Sequence, residues 1–164
     1  MAILDFESID FTSRSPEQTE RVGMRLGRLL QTGDVILLNG DLGAGKTTII
    51  RGIAKGWGTI DPVTSPTFVL VNEYYRMDKS ILFHMDAYRI GSIWEAEELD
   101  LDRMLREGVL LVEWAERIKD ALPKECLIIN MRWISDEQRE IIIKPNGDHY
   151  KNILLSFRQN AFGV

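Results

Sequence analysis

The sequence holds one cysteine, Cys126, which excludes a disulfide within the chain. That residue lies in an apolar, strand-like run, where a buried thiol is expected rather than a nucleophile. No apolar run approaches the roughly 18 residues of a membrane-spanning helix. The first residues, Met1-Ala2-Ile3-Leu4-Asp5-Phe6-Glu7, carry acids where an export signal needs basic and then apolar ones, so a cytoplasmic protein is expected. Excess positive charge is missing too. The 20 Lys and Arg against 25 Asp and Glu give a formal charge of -5. Glu95, Glu97, Glu98, Asp100 and Asp102 run without an intervening base as far as Arg103. Such a balance repels a phosphate backbone and disfavours tight binding of DNA or RNA by the chain alone. Internal repeats and low-complexity linkers are absent. At 164 residues and 45% hydrophobic content, the chain suits one domain, residues 1–164, with a core of its own.

What is present is organised around Gly40-Asp41-Leu42-Gly43-Ala44-Gly45-Lys46-Thr47, which fits G-x-x-x-x-G-K-[ST], the phosphate-binding (Walker A) loop of nucleotide hydrolases and kinases. Its flanks agree. Val35-Ile36-Leu37-Leu38-Asn39 reads as a buried strand, and Ile49, Ile50, Ile53, Ala54 and Trp57 recur at helical spacing. Glycines at 40, 43 and 45 allow the backbone N–H groups to ring a phosphate, and the start of the next helix adds a partial positive charge. Lys46 would reach the β- and γ-phosphates, and the Thr47 hydroxyl would ligate Mg²⁺. The loop therefore predicts a nucleoside triphosphate bound with magnesium.

The rest of the chain predicts an α/β fold, a P-loop NTPase-like mixed sheet with a parallel core, antiparallel hairpins and flanking helices. Ile3 to Phe6 is expected as an edge strand. Ser15-Pro16-Glu17-Gln18 reads as an N-cap, a first-turn proline and a capping-box Gln, opening a helix with Val22, Leu26, Leu29 and Leu30 on its apolar stripe. Gly33-Asp34 ends it. Gly56, Gly58 and Pro62 are expected to break the helix beyond the loop. Phe68 to Tyr75 and Ile81 to Met85 read as strands joined too tightly for a parallel crossover, hence antiparallel. Ser92 to Leu105 has helical spacing, with Ser92 a cap and Gly108 a stop. Val109-Leu110-Leu111-Val112-Glu113 reads as a buried parallel strand, and after Pro123 the runs Cys126 to Trp133 and Gln138 to Lys144 read as a hairpin. Around Ile153, Leu154 and Phe157, helix and strand are equally arguable.

Glu113 ends its apolar run at the carboxyl edge, where α/β sheets bind ligands, and is the candidate Walker-B acid, ligating Mg²⁺ directly or through water. Asp86, in His84-Met85-Asp86-Ala87-Tyr88-Arg89, is a second acid at a strand end; it could position water, and Arg89 could face phosphate or a partner. The alternative there is a turn with a local ion pair. His84 itself reads as a hydrogen-bonded structural histidine. Thr64, Ser65 and Thr67 occupy the place of a γ-phosphate-sensing loop, or of a plain Ser-Pro turn. Trp114 is by default a core aromatic; exposed, it would suggest a partner or nucleotide-edge contact.

These motifs, Gly40 to Thr48, Ser65-Pro66-Thr67-Phe68, His84 to Arg89 and Val112-Glu113-Trp114, resemble in order and spacing the TsaE (YjeE) family of bacterial ATPases over nearly the whole chain. The resemblance implies an ATPase, weak without its partners, that works with the TsaB and TsaD proteins in making N6-threonylcarbamoyladenosine at position 37 of tRNAs, and that meets tRNA only through that complex. It implies Thr47 and Glu113 as magnesium ligands, Asp86 and Thr67 as switch or catalytic positions beside Lys46, and Trp114 as the tryptophan next to the acidic ligand. It also places Ser15, Glu116 and Arg139 near the nucleotide. One departure is Met85-Asp86-Ala87, since the family more often has leucine before the tyrosine. Among rivals, a translational GTPase lacks its Asn-Lys-x-Asp box here. A small-molecule kinase would need an acceptor pocket and an arginine-bearing lid, for which only Arg103 and Arg106 cluster. A nucleotide-dependent interaction module with negligible turnover is the third reading.

Overall fold

In the computed structural model, residues 7–63, 71–88 and 90–163 are described. Val35–Asn39 (β2) is apolar until its last residue because both of its faces are covered. Ile36 and Leu38 enter one core, Val35 and Leu37 the other. The remaining strands are Ile9–Ser13 (β1), Val71–Tyr75 (β3), Ile81–Asp86 (β4), Gly108–Glu113 (β5), Cys126–Trp133 (β6) and Arg139–Asn146 (β7). They form a seven-stranded sheet in the order β1-β7-β6-β2-β5-β4-β3. β2 runs parallel to β5 and β6, and β4 parallel to β5, whereas β3, β7 and β1 pair antiparallel with their neighbours. The mixed sheet and both hairpins are as expected.

Pro16–Gly27 (α1), Lys46–Trp57 (α2) and Asp148–Phe162 (α5) share one core with the sheet. Ile93–Glu97 (α3), Leu101–Glu107 (α4) and a 3-10 segment, Ala115–Ala121, share the other. α1 starts as its sequence directs. Ser15 Oγ accepts the Gln18 N–H at 3.1 Å, and Gln18 Oε1 accepts the Arg14 N–H at 2.7 Å, one residue upstream of the usual capping-box donor. α1 and α2 then meet backbone to backbone. A Cβ on Gly23 or Gly27 would strike the carbonyls of Ile49 and Ile53, and one on Gly52 or Gly56 those of Glu20 and Met24.

Three expectations change. Gly56 does not break α2 but packs inside it; the stop is Gly58, left-handed at φ 105°, whose N–H returns to the Ala54 carbonyl at 3.0 Å. The single helix expected over Ser92 to Leu105 is two. Ser92 caps α3, but Asp100 takes a left-handed φ of 56° and its carboxylate accepts the Arg103 N–H at 3.4 Å, capping α4 anew. The tail is a helix, with Tyr150, Ile153, Leu154 and Phe157 buried at i, i+3, i+4 and i+7. The Tyr150 hydroxyl accepts the Val35 N–H at 2.9 Å, and His149 Nε2 lies 2.7 Å from Asp34 Oδ1, so α5 is tied to the start of β2. Ile3 to Phe6 and the first residues of the Phe68 to Tyr75 run lie outside the described residues, where the outer strand is β1 and the second run begins at Val71. Cys126 is buried, and burial pushes its thiol pKa up, as its apolar setting suggested. Among the described residues no helix is long and apolar enough to cross a membrane.

Candidate functional site

Strand register brings the polar residues together. Leu38 pairs with Glu113 on one side and Ile129 on the other, Glu113 pairs with Asp86, and Asn39 pairs with Asn130. The phosphate loop, Asp86 and Glu113 thus leave the sheet at one carboxyl edge. Arg139 begins β7 at the same edge, opposite Ser13 and Trp133.

The loop turns through positive φ at Gly40, Gly43 and Gly45. At Gly40 the backbone also passes so near the Met131 carbonyl that a Cβ would stand 2.6 Å from its oxygen. Lys46, at the start of α2, folds back and donates to the Gly40 carbonyl, with Nζ 3.7 Å from the centre of the Trp114 ring. It is buried, and burial lowers its pKa against the opposing pull of Glu113, Glu116, Asp86 and Asp41. Thr47 and Thr48 follow in the first turn of α2, both half-buried. Arg139 fastens the loop from outside: Nε donates to the Gly43 carbonyl at 3.1 Å, and the guanidinium also reaches the Ser135 and Gln138 carbonyls at 2.5 and 2.9 Å. Pro16, Thr19, Gly45, Thr48, Glu137 and Arg139 line a groove between the loop, α1 and the β6–β7 turn. Ser15 stands at the head of α1 beside it, its hydroxyl engaged as the helix cap.

β5 ends abruptly. Trp114 takes a left-handed φ of 55° and donates its N–H to the Leu38 carbonyl at 3.1 Å. For a bulky residue that conformation costs roughly 1–2 kcal/mol. The ring's position over Lys46 offsets this, since a cation–π contact contributes about 0.5–2 kcal/mol. Trp114 is therefore neither core nor free surface: it is half-buried between Lys46 and Tyr88, whose ring centre is 5.0 Å away. Arg117 lies over the Tyr88 ring, 4.9 Å from its centre. Glu113 is 5% exposed, and its Oε2 lies 2.7 Å from Nε2 of the fully buried His84. Asp86 is half-buried and accepts the Tyr88 N–H at 2.9 Å, so it makes a local turn at the strand end. Glu116 is exposed on the 3-10 segment, near enough to Lys46 to act on its charge.

Thr64, Ser65, Thr67, Phe68 and Arg89 lie outside the described residues. Arg103, one of the two lid candidates of the kinase reading, is engaged by Glu107 at 3.0 Å and Glu73 at 3.5 Å. Sequence reasoning missed the His84–Glu113 bond and the Trp114–Lys46 contact. The available signal was a polar residue near the end of each of two apolar runs, but their meeting needs the parallel β4–β5 register.

A glycine loop joining the central strand to a helix, with a buried lysine and two acids at the carboxyl edge of a mixed sheet, defines a phosphate-loop α/β protein. Within that class, residues 13–141 match the family described as threonylcarbamoyl adenosine biosynthesis protein TsaE, and the chain belongs to this family. It is 42% identical over 139 residues to the tRNA threonylcarbamoyladenosine biosynthesis protein TsaE of Bacillus subtilis, covering 84% of this chain and 85% of that one. To the protein of the same name from Treponema pallidum it is 39% identical over 132 residues, covering 80% and 96%. The crystal structure of Bacillus subtilis YdiB superposes with a TM-score of 0.78 at 34% identity, covering 93% of this chain and 95% of that one.

Proposed function

We propose that the chain is a magnesium-dependent ATP hydrolase serving the formation of threonylcarbamoyladenosine at position 37 of tRNA, in the cytoplasm and together with the TsaB and TsaD proteins. The names of its relatives support the pathway. The observation that carries the chemistry is the convergence of Lys46 and Glu113 on one phosphate loop.

Loop N–H groups and the α2 terminus hold the phosphates, and Lys46 leaves the Gly40 carbonyl and the Trp114 ring to meet them. Among the described residues no three His, Cys, Asp or Glu side chains are grouped to hold a metal unaided. That fits Mg²⁺, which takes one or two protein oxygens and completes its shell with phosphate oxygens and water. Thr47 Oγ1 and the Glu113 carboxylate would hold the ion, which would supply neutralisation of negative charge at the phosphates. Asp86, next to Glu113 in register, orients the attacking water together with Thr67, while Ser15, Thr48, Glu116 and Arg139 border the nucleotide. The net charge of -5 is the reason for tRNA being met through the partners.

The test is phosphate release from ATP and from GTP, alone and with TsaB, TsaD and tRNA. ATP should be preferred, turnover should need Mg²⁺ and rise with the partners. Glu113→Ala should cut turnover at least ~100-fold while changing nucleotide affinity little. Lys46→Ala should weaken ATP binding or abolish turnover; unchanged affinity together with unchanged turnover would refute the assignment.

A further inference from the structure

His84 lies two residues before Asp86, completely buried, on the sheet face that carries Leu111 and Glu113. Its register partner on β5 is Leu111, so its ring reaches diagonally to Glu113, Nε2 to Oε2, at 2.7 Å. The Tyr74 ring stacks on it, centres 6.4 Å apart. Nδ1 is buried and has no hydrogen-bond partner among the described residues. A purely space-filling side chain here would be apolar, because an unsatisfied buried nitrogen is destabilising. The arrangement makes sense if the single bond that His84 does form is what the position requires. The geometry places a proton on Nε2, which donates to the carboxylate, and leaves Nδ1 as the atom without a partner among the described residues.

We infer that His84 is a positioning residue, whose Nε2–H bond to Oε2 fixes the rotamer of Glu113 and leaves Oε1 as the oxygen offered at the phosphate loop. Oε1 receives no hydrogen bond from the described residues. This rests on Glu113 serving the cation, and it reproduces in a carboxylate ligand the logic by which outer partners orient inner ones. Fixing one oxygen keeps the carboxylate from turning both toward the ion or away to pair with Lys46.

The experiment titrates Mg²⁺ calorimetrically into protein saturated with a non-hydrolysable ATP analogue, and the analogue alone into protein in EDTA. His84→Asn is polar but too short to reach Glu113, whereas His84→Gln places an amide N–H near the Nε2 position. His84→Asn should weaken Mg²⁺ binding about 10- to 100-fold and His84→Gln by no more than about 3-fold, with metal-free nucleotide affinity unchanged in both. Glu113→Ala separates the premises. If it keeps wild-type Mg²⁺ affinity, the role of Glu113 itself falls. If it loses affinity while His84→Asn keeps it, only the His84 inference falls. The ¹⁵N imidazole spectrum of the wild-type protein decides independently of any variant's folding: a proton on Nε2 is expected, with or without one on Nδ1, and a ring protonated on Nδ1 alone overturns the inference.

Discussion

Lys46 is held in place by two weak partners, a carbonyl and an aromatic face, neither of which matches what a phosphate offers. Arrival of a nucleotide should therefore take the ammonium off the Trp114 ring. Trp57 is buried away from the loop and Trp94 is exposed, while Trp133 ends β6 at the loop's own edge, so the Trp114→Phe variant assigns the change to one indole. Tryptophan emission should shift on adding a non-hydrolysable ATP analogue, and the shift should vanish in Trp114→Phe while binding persists. An unchanged shift in that variant would place the reporter elsewhere. At this scale the loop was legible because its chemistry lies in eight consecutive residues, and Glu113 because an acid ends an apolar run. The partners of Glu113 and Lys46 were not. His84 and Glu113 are 29 residues apart, and Trp114 meets Lys46 only because one residue after β5 turns left-handed.

Among elements, α5 shows how a segment ambiguous in sequence acquires a definite role. Its first turn supplies Tyr150, whose hydroxyl satisfies the N–H of Val35 at the start of the central strand. Burial pushes the Tyr150 pKa up from 10.0 to about 12. The folded state thus favours the protonated phenol: the stabilisation is complete below the unfolded value of 10.0 and is lost as pH rises through about 12. Melting temperature should fall across that window. Tyr150→Phe should flatten the alkaline fall while costing about 1–3 kcal/mol at neutral pH, because Val35 N–H is left without an acceptor. Differential scanning calorimetry against pH checks both. β2 to β7, the Ser15 and Ser92 caps and both hairpins were legible from local pattern, whereas β1 at Ile9–Ser13 was not read. The break between α3 and α4 was not legible, since helical spacing continues through Asp100, whose left-handed backbone and cap on the Arg103 N–H start a second helix.

For the molecule as a whole, the sheet edge that gathers Asp86, Glu113 and the phosphate loop also gathers exposed apolar groups, Leu42 at the loop tip, Tyr88 and Trp133. A surface of this kind suits a partner of the proposed function, which would read nucleotide state through Asp86 and Tyr88 at this edge and through Arg89 and the 64–68 segment, which lie outside the described residues. Affinity for the TsaB–TsaD pair should be higher with a non-hydrolysable ATP analogue than with ADP, and Asp86→Ala and Thr67→Ala should narrow the difference. By linkage the partners should tighten ATP binding by the same factor. Equal partner affinity in the two nucleotide states would end the idea, because a ligand that does not distinguish two states cannot shift them.

The glycine seam between α1 and α2 bears on this coupling. Side chains usually cushion neighbouring helices and let them slide by fractions of an ångström, but here peptide groups abut directly at Gly23, Gly27, Gly52 and Gly56. The two helices should therefore behave as one stiff beam, anchored at one end in the phosphate loop and reaching Trp57 at the other. Strain applied at Lys46 would then be delivered along the whole of α1, well beyond Pro16 and Thr19 at its loop end. Nucleotide binding should slow amide hydrogen exchange in both helices together, and Gly27→Ala, which lies beside Ile53 to Trp57 and so about 10–16 Å along α2 from Lys46 by helix rise, should uncouple them. Loss of nucleotide-induced protection in α1 alone, with α2 still protected, is the signature of a beam that has been split lengthwise.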